Sequence, residues 1–326
     1  MTTKTIFVFP GQGSQSLGML ASLAQRHPMI RETFIEASEL LSEDLWRLCQ
    51  QGPLEKLNQT VHTQPILLTA SVALWRLWQQ QGGSKPLFMA GHSLGEYAAL
   101  VCAECFTFAA AVRLVAERGR LMQAAVPEGM GAMAAIIGLD PLTLTRLCHE
   151  LVDKNQVLAP ANYNAPGQVV VAGHAVAIDK LVESAKQYGA KLAKRVPMSV
   201  PSHCPLMIPA AEQLKQYLTT VDFYPPKIPV VNNVGVCVEH TPVAIKEALV
   251  NQLFSPVRWV EIIQYLDKVA AAWRLESDTV VSLIECGPGK VLAGLNKRIT
   301  TIPTLSIGEP EFFDSALKAE GVSCYY

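Results

Sequence analysis

The sequence lacks any hydrophobic run approaching the roughly 18 residues needed to span a bilayer, so no transmembrane segment is expected. Ile6-Phe7-Val8-Phe9 is too short for a signal-peptide core and runs directly into a glycine-rich turn. Neither charge sign dominates. The 27 basic and 28 acidic side chains leave a net charge of −1, which gives no whole-chain support for a nucleic-acid or anionic-membrane partner. A soluble, cytoplasmic chain is the expectation. Internal repeats and low-complexity tracts are absent as well. Of the eight cysteines, only Cys102-Ala103-Glu104-Cys105 has a C-x-x-C spacing. That pair lies about two turns into an apolar helix, away from the N-terminal dipole that activates a thiol. Two reduced cysteines packed in a core are expected, and no further ligands stand at zinc spacing. Neither a metal nor a cofactor is implied.

What is present fits a densely packed globular chain. Half of the 326 residues are hydrophobic and 17% are charged, enough to bury one large domain or two smaller ones. Thr5–Pro10 reads as a buried strand, Arg31–Leu41 and Gln64–Gln81 as helices, Leu87–Ala90 as a second strand, and Phe108–Ala125 as another helix. Strands alternating with helices predict an α/β fold with a parallel sheet.

The texture changes after Pro127-Glu128-Gly129. Ala132–Gly138, Pro141–Val152, Val157–Ala161, Gln168–Ala172, Ala175–Tyr188 and Lys191–Val196 read in the order βαββαβ, which predicts a ferredoxin-like subdomain. Strand signals resume at Pro229–Asn233 and Val280–Glu285, so this unit reads as an insertion. The expected boundaries are residues 1–126 and 201–326 for the large domain and 127–200 for the small one. The tail beyond Gly308 reads as a weak helix.

Between Leu87–Ala90 and the helical run from Glu96 stands Gly91-His92-Ser93-Leu94-Gly95. In that context G-x-S-x-G is a nucleophile elbow, a sharp strand-to-helix turn that exposes the serine hydroxyl at a helix N-terminus. Ser93 needs a base. Among seven histidines, His27, His62, His149 and His174 have polar neighbours, His92 adjoins the elbow itself, and His240 sits in a polar loop. His203 follows Val200-Pro201-Ser202, where the chain re-enters the large domain, and is the best-placed candidate. A hydrolase triad runs Ser, acid, His, yet Asp140, Asp153 and Asp179 all lie in the inserted unit. That weakens an esterase reading and points to a neutral carbonyl behind the imidazole.

Arg118 sits within an otherwise apolar helical run. It reads equally as half of a surface ion pair and as a bidentate clamp on a substrate carboxylate. The turn Gly11-Gln12-Gly13-Ser14-Gln15 lacks the Gly-Lys-Ser/Thr ending of a phosphate loop. The backbone N–H groups of Gln12 and Leu94 are a plausible pair of donors to an oxyanion instead.

Taken together, Phe9-Pro10-Gly11-Gln12-Gly13-Ser14-Gln15, Gly91–Tyr97, Arg118-Gly119, Pro201-Ser202-His203, Pro229–Asn233 and Glu285-Cys286-Gly287-Pro288-Gly289 resemble the malonyl-CoA:acyl-carrier-protein transacylase family of bacterial type II fatty acid synthesis. The likeness runs from about Thr5 to Ile307. It implies an α/β-hydrolase-like core with a ferredoxin-like insertion, Ser93 as the acylated residue and His203 as its base. It further implies that Arg118 holds the malonyl carboxylate, that Gln12 and Leu94 N–H groups form the oxyanion hole, and that the Gln252 carbonyl orients the histidine. Asn162 matches a residue lining the cleft. The partners implied are malonyl-CoA and, transiently, an acidic acyl carrier protein, with the enzyme a monomer. Lys191, Lys194, Arg195, Lys290, Lys297 and Arg298 are candidates for a basic docking patch. A serine thioesterase or esterase, a stand-alone polyketide malonyl transferase and a non-catalytic acyl-CoA binder are the competing readings.

Overall fold

A computed structural model describes residues 2–198, 200–276 and 279–322. Its nine strands are β1 (Thr2–Phe9), β2 (Phe88–Gly91), β3 (Gly131–Ile137), β4 (Leu158–Ala165), β5 (Gln168–His174), β6 (Leu192–Arg195), β7 (Val230–Val231), β8 (Thr279–Glu285) and β9 (Thr304–Ser306). β1 sends Phe7 and Phe9 to one face and Ile6 and Val8 to the other, and all of them are fully buried. A strand apolar on both faces needs a helical layer on each side. β1 accordingly lies at the centre of a five-stranded parallel sheet of order β7-β2-β1-β8-β9. Helix Thr60–Gln80 packs against Phe7 through Trp75 and Trp78, and helix Trp259–Glu276 covers the Ile6 and Val8 face.

β3 to β6 form a separate antiparallel sheet of order β4-β5-β3-β6. With helices Pro141–Glu150 and Ala175–Ser184 between strands, the order is βαββαβ and the fold is ferredoxin-like, with a core of its own. β4 is bulged between Pro160 and Asn162 and again between Tyr163 and Ala165. The bulged stretch turns toward the large sheet: Val257 N–H donates to Ala161 O and Tyr163 N–H to Val257 O, both at 2.9 Å. This ties the small sheet over the carboxyl ends of the parallel strands.

Several boundaries differ from the sequence reading. The long helix begins at Thr60 rather than Gln64, because Pro65 is accommodated inside it instead of starting it. Only Val230 and Val231 of the Pro229–Asn233 run are strand, since the Asn232 side chain closes the following turn on Val234, Gly235 and Cys237 while Asn233 bonds the elbow. The helix after the elbow stops at Cys102, so Cys105 lies in the following turn; both are buried and free. The tail is better packed than its pattern suggests: helix Pro310–Ala319 buries Phe313, Ala316 and Leu317 in the main core.

The elbow closes because two positions have no side chain. A Cβ on Gly91 would stand 1.9 Å from the Gly95 carbonyl carbon, and one on Gly95 would stand 2.0 Å from Phe9 O. Ser93 between them is held at φ 53° and ψ −108°, a left-handed conformation that costs of order 1–3 kcal/mol for a residue with a side chain. Asn233 supports it, accepting from Ser93 N–H at 2.7 Å and donating Nδ2–H to Gly91 O at 2.6 Å. Gly95→Ala is expected to destabilise the chain by at least about 2 kcal/mol, because Phe9 O belongs to the central strand and cannot retreat. Urea unfolding checks this; an unchanged midpoint would show that the approach of strand and helix is not limiting.

Candidate active site

The cleft lies where the parallel strands end, the usual place for a site in an open α/β sheet. Gln12 follows β1, Ser93 follows β2 and Asn233 follows β7, while Arg118 comes from helix Phe108–Ala124 and Asn162 from the bulge of β4. Ser93, Arg118, His203, Gln12, Leu94 and Asn162 all line one cavity of about 370 Å³.

Ser93 Oγ lies 2.7 Å from His203 Nε2, and His203 Nδ1 lies 2.7 Å from Gln252 O. A carbonyl only accepts, so Nδ1 carries the proton and Nε2 is left facing the hydroxyl. His203 is 3% exposed and sits at φ 62°, with its own N–H bonded to Leu253 O at 2.9 Å. The end of helix Pro242–Gln252 therefore holds both its backbone and its ring. Burial, followed by the Arg118 charge, lowers the His203 pKa to about 3, so the ring is neutral near pH 7 and able to take a proton. Among the described residues no carboxylate bonds this imidazole. Gln252 O stands where an esterase places an acid.

Arg118 is 1% exposed, which excludes the surface-pair reading. Its Nη1 donates to Gln64 Oε1 at 2.8 Å, and its Nη2 donates to Gln252 Oε1 at 2.9 Å and to Ser93 Oγ at 3.3 Å. Its Nε is buried without a partner, and the guanidinium carbon lies 5.1 Å from the Tyr97 ring centroid. Every hydrogen-bond acceptor around this cation is neutral. Burial works against its charge, and the neighbouring Tyr97 and then Glu96 work for it.

Leu94 is the first residue of its helix, so its N–H has no intrahelical acceptor. It borders the same cavity as Gln12, whose side chain is anchored to Thr60 Oγ1 at 3.2 Å. Asn162 is buried within its β-bridge to Val257. His92 points away from the serine: its ring packs on Trp259 and its Nε2 lies 2.8 Å from Asn164 Oδ1. Glu285 has a structural task, accepting from the N–H groups of Leu292 and Ala293 at the start of helix Val291–Asn296. In the suggested docking patch, Arg195 pairs with Asp179, and Arg298 bonds Pro166 O and Gln168. Lys191, Lys194, Lys290 and Lys297 are exposed and join no ion pair among the described residues.

Three buried residues of the site escape the sequence reading. Glu96 Oε2 accepts from Asn233 N–H at 3.0 Å and from Gln252 Nε2 at 2.8 Å. An acid inside Gly95-Glu96-Tyr97-Ala98-Ala99-Leu100 is a visible anomaly and could have flagged it. Asn233 stands in a motif already singled out. Gln64 has no such signal, being one polar residue on a long amphipathic helix.

Comparison with known proteins shows what the chain as a whole is similar to. The family model of the acyl transferase domain matches residues 6–278. A malonyl CoA-acyl carrier protein transacylase of Salmonella typhimurium is 53% identical over 316 residues, 97% of this chain and 99% of its own. The solved structure of the Coxiella burnetii malonyl CoA-acyl carrier protein transacylase superposes with a TM-score of 0.93 at 48% identity, covering 99% of each chain. A malonyl-transacylase solved in complex with its type II PKS acyl-carrier protein matches at TM-score 0.91 and 50% identity, covering 97% of this chain and 100% of its own.

The buried, carbonyl-bonded imidazole leads to a spectroscopic prediction. The ring-proton resonances of His203 should show no protonation step between pH 5 and 8, since the neutral form persists down to about 3. A titration centred near the ordinary histidine value of 6.5 would contradict the burial argument.

Proposed function

The chain belongs to the malonyl-CoA:acyl-carrier-protein transacylase family, and on that premise we propose that it moves a malonyl group from malonyl-CoA to the phosphopantetheine thiol of acyl carrier protein through a malonyl-Ser93 ester. The product supplies extender units for fatty acid synthesis. One observation carries the choice of acyl group: a buried guanidinium, 3.3 Å from the serine oxygen, has only neutral hydrogen-bond acceptors. A malonyl carboxylate satisfies it and an acetyl group leaves it unpaired, at a cost of roughly 1–3 kcal/mol or more.

The reaction runs in two half-steps. Ser93 Oγ attacks the thioester carbonyl as His203 Nε2 takes its proton, and the N–H groups of Gln12 and Leu94 receive the charge on the carbonyl oxygen. The carbon–sulfur bond breaks, and the proton on His203 passes to the departing coenzyme A thiolate. Malonyl-Ser93 then waits for the carrier thiol. His203 takes the proton of that thiol, its sulfur attacks the ester, and the proton returns to Ser93 as the carbon–oxygen bond breaks. Gln252 O holds the ring in the required tautomer throughout.

In this reading residues 1–126 and 201–326 form the domain that carries the nucleophile and base, and 127–200 form a smaller domain that roofs the cleft and offers Asn162. All the proposed chemical groups come from one chain, which supports action as a monomer. Seven free cysteines among the described residues suit a reducing, cytoplasmic setting. No helix of the described residues is long and apolar enough to cross a membrane. The free lysines Lys191, Lys194, Lys290 and Lys297 are the groups proposed to meet an acidic carrier. The structural likeness to a transacylase with a type II PKS carrier keeps polyketide supply as the second reading, to be decided by presenting carriers of both pathways.

Intact-mass measurement after incubation with malonyl-CoA should show one added malonyl group, discharged when carrier protein follows. Ser93→Ala should show none, and persistent labelling would place the nucleophile elsewhere. Malonate release at the same rate with and without carrier would identify a thioesterase instead. Arg118→Ala should lower kcat/KM for malonyl-CoA by about 100-fold or more and shift selectivity toward acetyl-CoA. An unchanged malonyl-to-acetyl ratio would remove Arg118 from the role of clamp.

A further inference from the structure

We propose that Glu96 is a positioning residue for acyl selectivity, acting through the side-chain amide of Gln252 to aim the Arg118 guanidinium at the acyl pocket without neutralising it. The inference rests on the malonyl-transfer reading above and assigns Gln252 a second task beyond its carbonyl.

Hydrogen-bond polarity carries the argument. An ionised carboxylate has acceptors and no donors. Glu96 Oε2, fixed by Asn233 N–H at 3.0 Å, therefore requires the Gln252 amide to present its NH₂ group, which it does at 2.8 Å. The same nitrogen donates to Ser93 O at 3.0 Å. With Nε2 committed twice on this side, Oε1 must face the other way, where it accepts from Arg118 Nη2 at 2.9 Å. A flipped amide would set NH₂ against a guanidinium, two donors facing each other, and expel the arginine from its place. Gln252 and Glu96 are both buried, at 0% and 2% exposure, so water cannot substitute for a lost partner.

The indirectness of the link matters chemically. A carboxylate bonded straight to Arg118 would occupy the donors that a malonyl carboxylate needs. Placing one amide between acid and cation keeps the counter-charge near while only neutral oxygens, from Gln64, Gln252 and Ser93, touch the guanidinium. Burial raises the Glu96 pKa to about 7, opposed by its Gln252 and Asn233 donors and by Arg118. With Oε2 taken by two N–H donors, a proton on Glu96 belongs on Oε1, and Oε2 still accepts.

The test compares malonyl with acetyl transfer in full-length variants, using malonyl-CoA and acetyl-CoA with carrier protein. Glu96→Leu removes the acceptor at similar volume and is expected to raise KM for malonyl-CoA and lower the malonyl-to-acetyl kcat/KM ratio by about ten-fold. Glu96→Gln, whose oxygen can accept from the same two donors, is expected to restore that ratio to within about three-fold of the parent. Glu96→Leu/Gln252→Leu should have the ratio of Gln252→Leu alone, because one path is being cut twice. The inference is overturned if Glu96→Leu lowers both transfers by one common factor, if Glu96→Gln fails to restore the ratio, or if the two leucine substitutions add. Should Glu96→Leu not fold, Gln252→Leu decides: it keeps the backbone carbonyl, and a ratio within two-fold of the parent would rule out the amide link. Failure of the parent itself to transfer malonyl would instead sink the functional reading on which the inference depends.

Discussion

In the proposed reading the site depends on one constraint: the Arg118 cation, buried among neutral acceptors, must stay charged inside the protein while remaining available to a substrate anion. Removing a charge from water costs several kcal/mol unless neighbours compensate. The usual compensation, a buried ion pair, would neutralise the group and close the pocket to a carboxylate. Here two glutamine oxygens, the Tyr97 ring and the serine hydroxyl surround the guanidinium, and Glu96 stands one amide away. The cation is supported without being satisfied, since its Nε remains unpartnered. In the proposed reading, that residual demand distinguishes a carboxylated acyl group from a plain one.

The same cation bears on the base. Burial, with Arg118 behind it, holds the His203 pKa far below its ordinary value. In the proposed mechanism the neutral imidazole accepts the serine proton, and the Arg118 charge beside it keeps it a weak base. The elbow supplies the remaining geometry. Gly91 and Gly95 allow strand and helix to approach, Asn233 holds the strained turn, and Ser93 is presented to the ring at 2.7 Å.

Local features were legible in the sequence because their causes are local. The glycines of the elbow, the apolar run of β1 and the βαββαβ order of the small sheet each follow from residues close along the chain. His203 is placed near the cleft by its position at the re-entry of the chain, and the absent acid points to a carbonyl behind it, but that Gln252 supplies the carbonyl comes only with the family resemblance. Arg118 stayed ambiguous because its burial is decided by Gln64, Tyr97 and Gln252, which sequence spacing does not bring together. Glu96 and Gln252 are separated by 156 positions, and nothing in either neighbourhood states that they meet. Short helices such as Ala21–Arg26 and Leu45–Gln51 leave no sequence signal for another reason: they span too few turns to show a period.

The central claim is that Arg118 reads the acyl group attached to Ser93. A crystal structure of the malonylated chain tests it most directly. The account predicts an ester on Ser93 Oγ whose free carboxylate lies within about 3 Å of the Arg118 guanidinium, with the ester carbonyl oxygen facing the N–H groups of Gln12 and Leu94. A carboxylate directed into solvent, with Arg118 still bonded only to its glutamines, would contradict it.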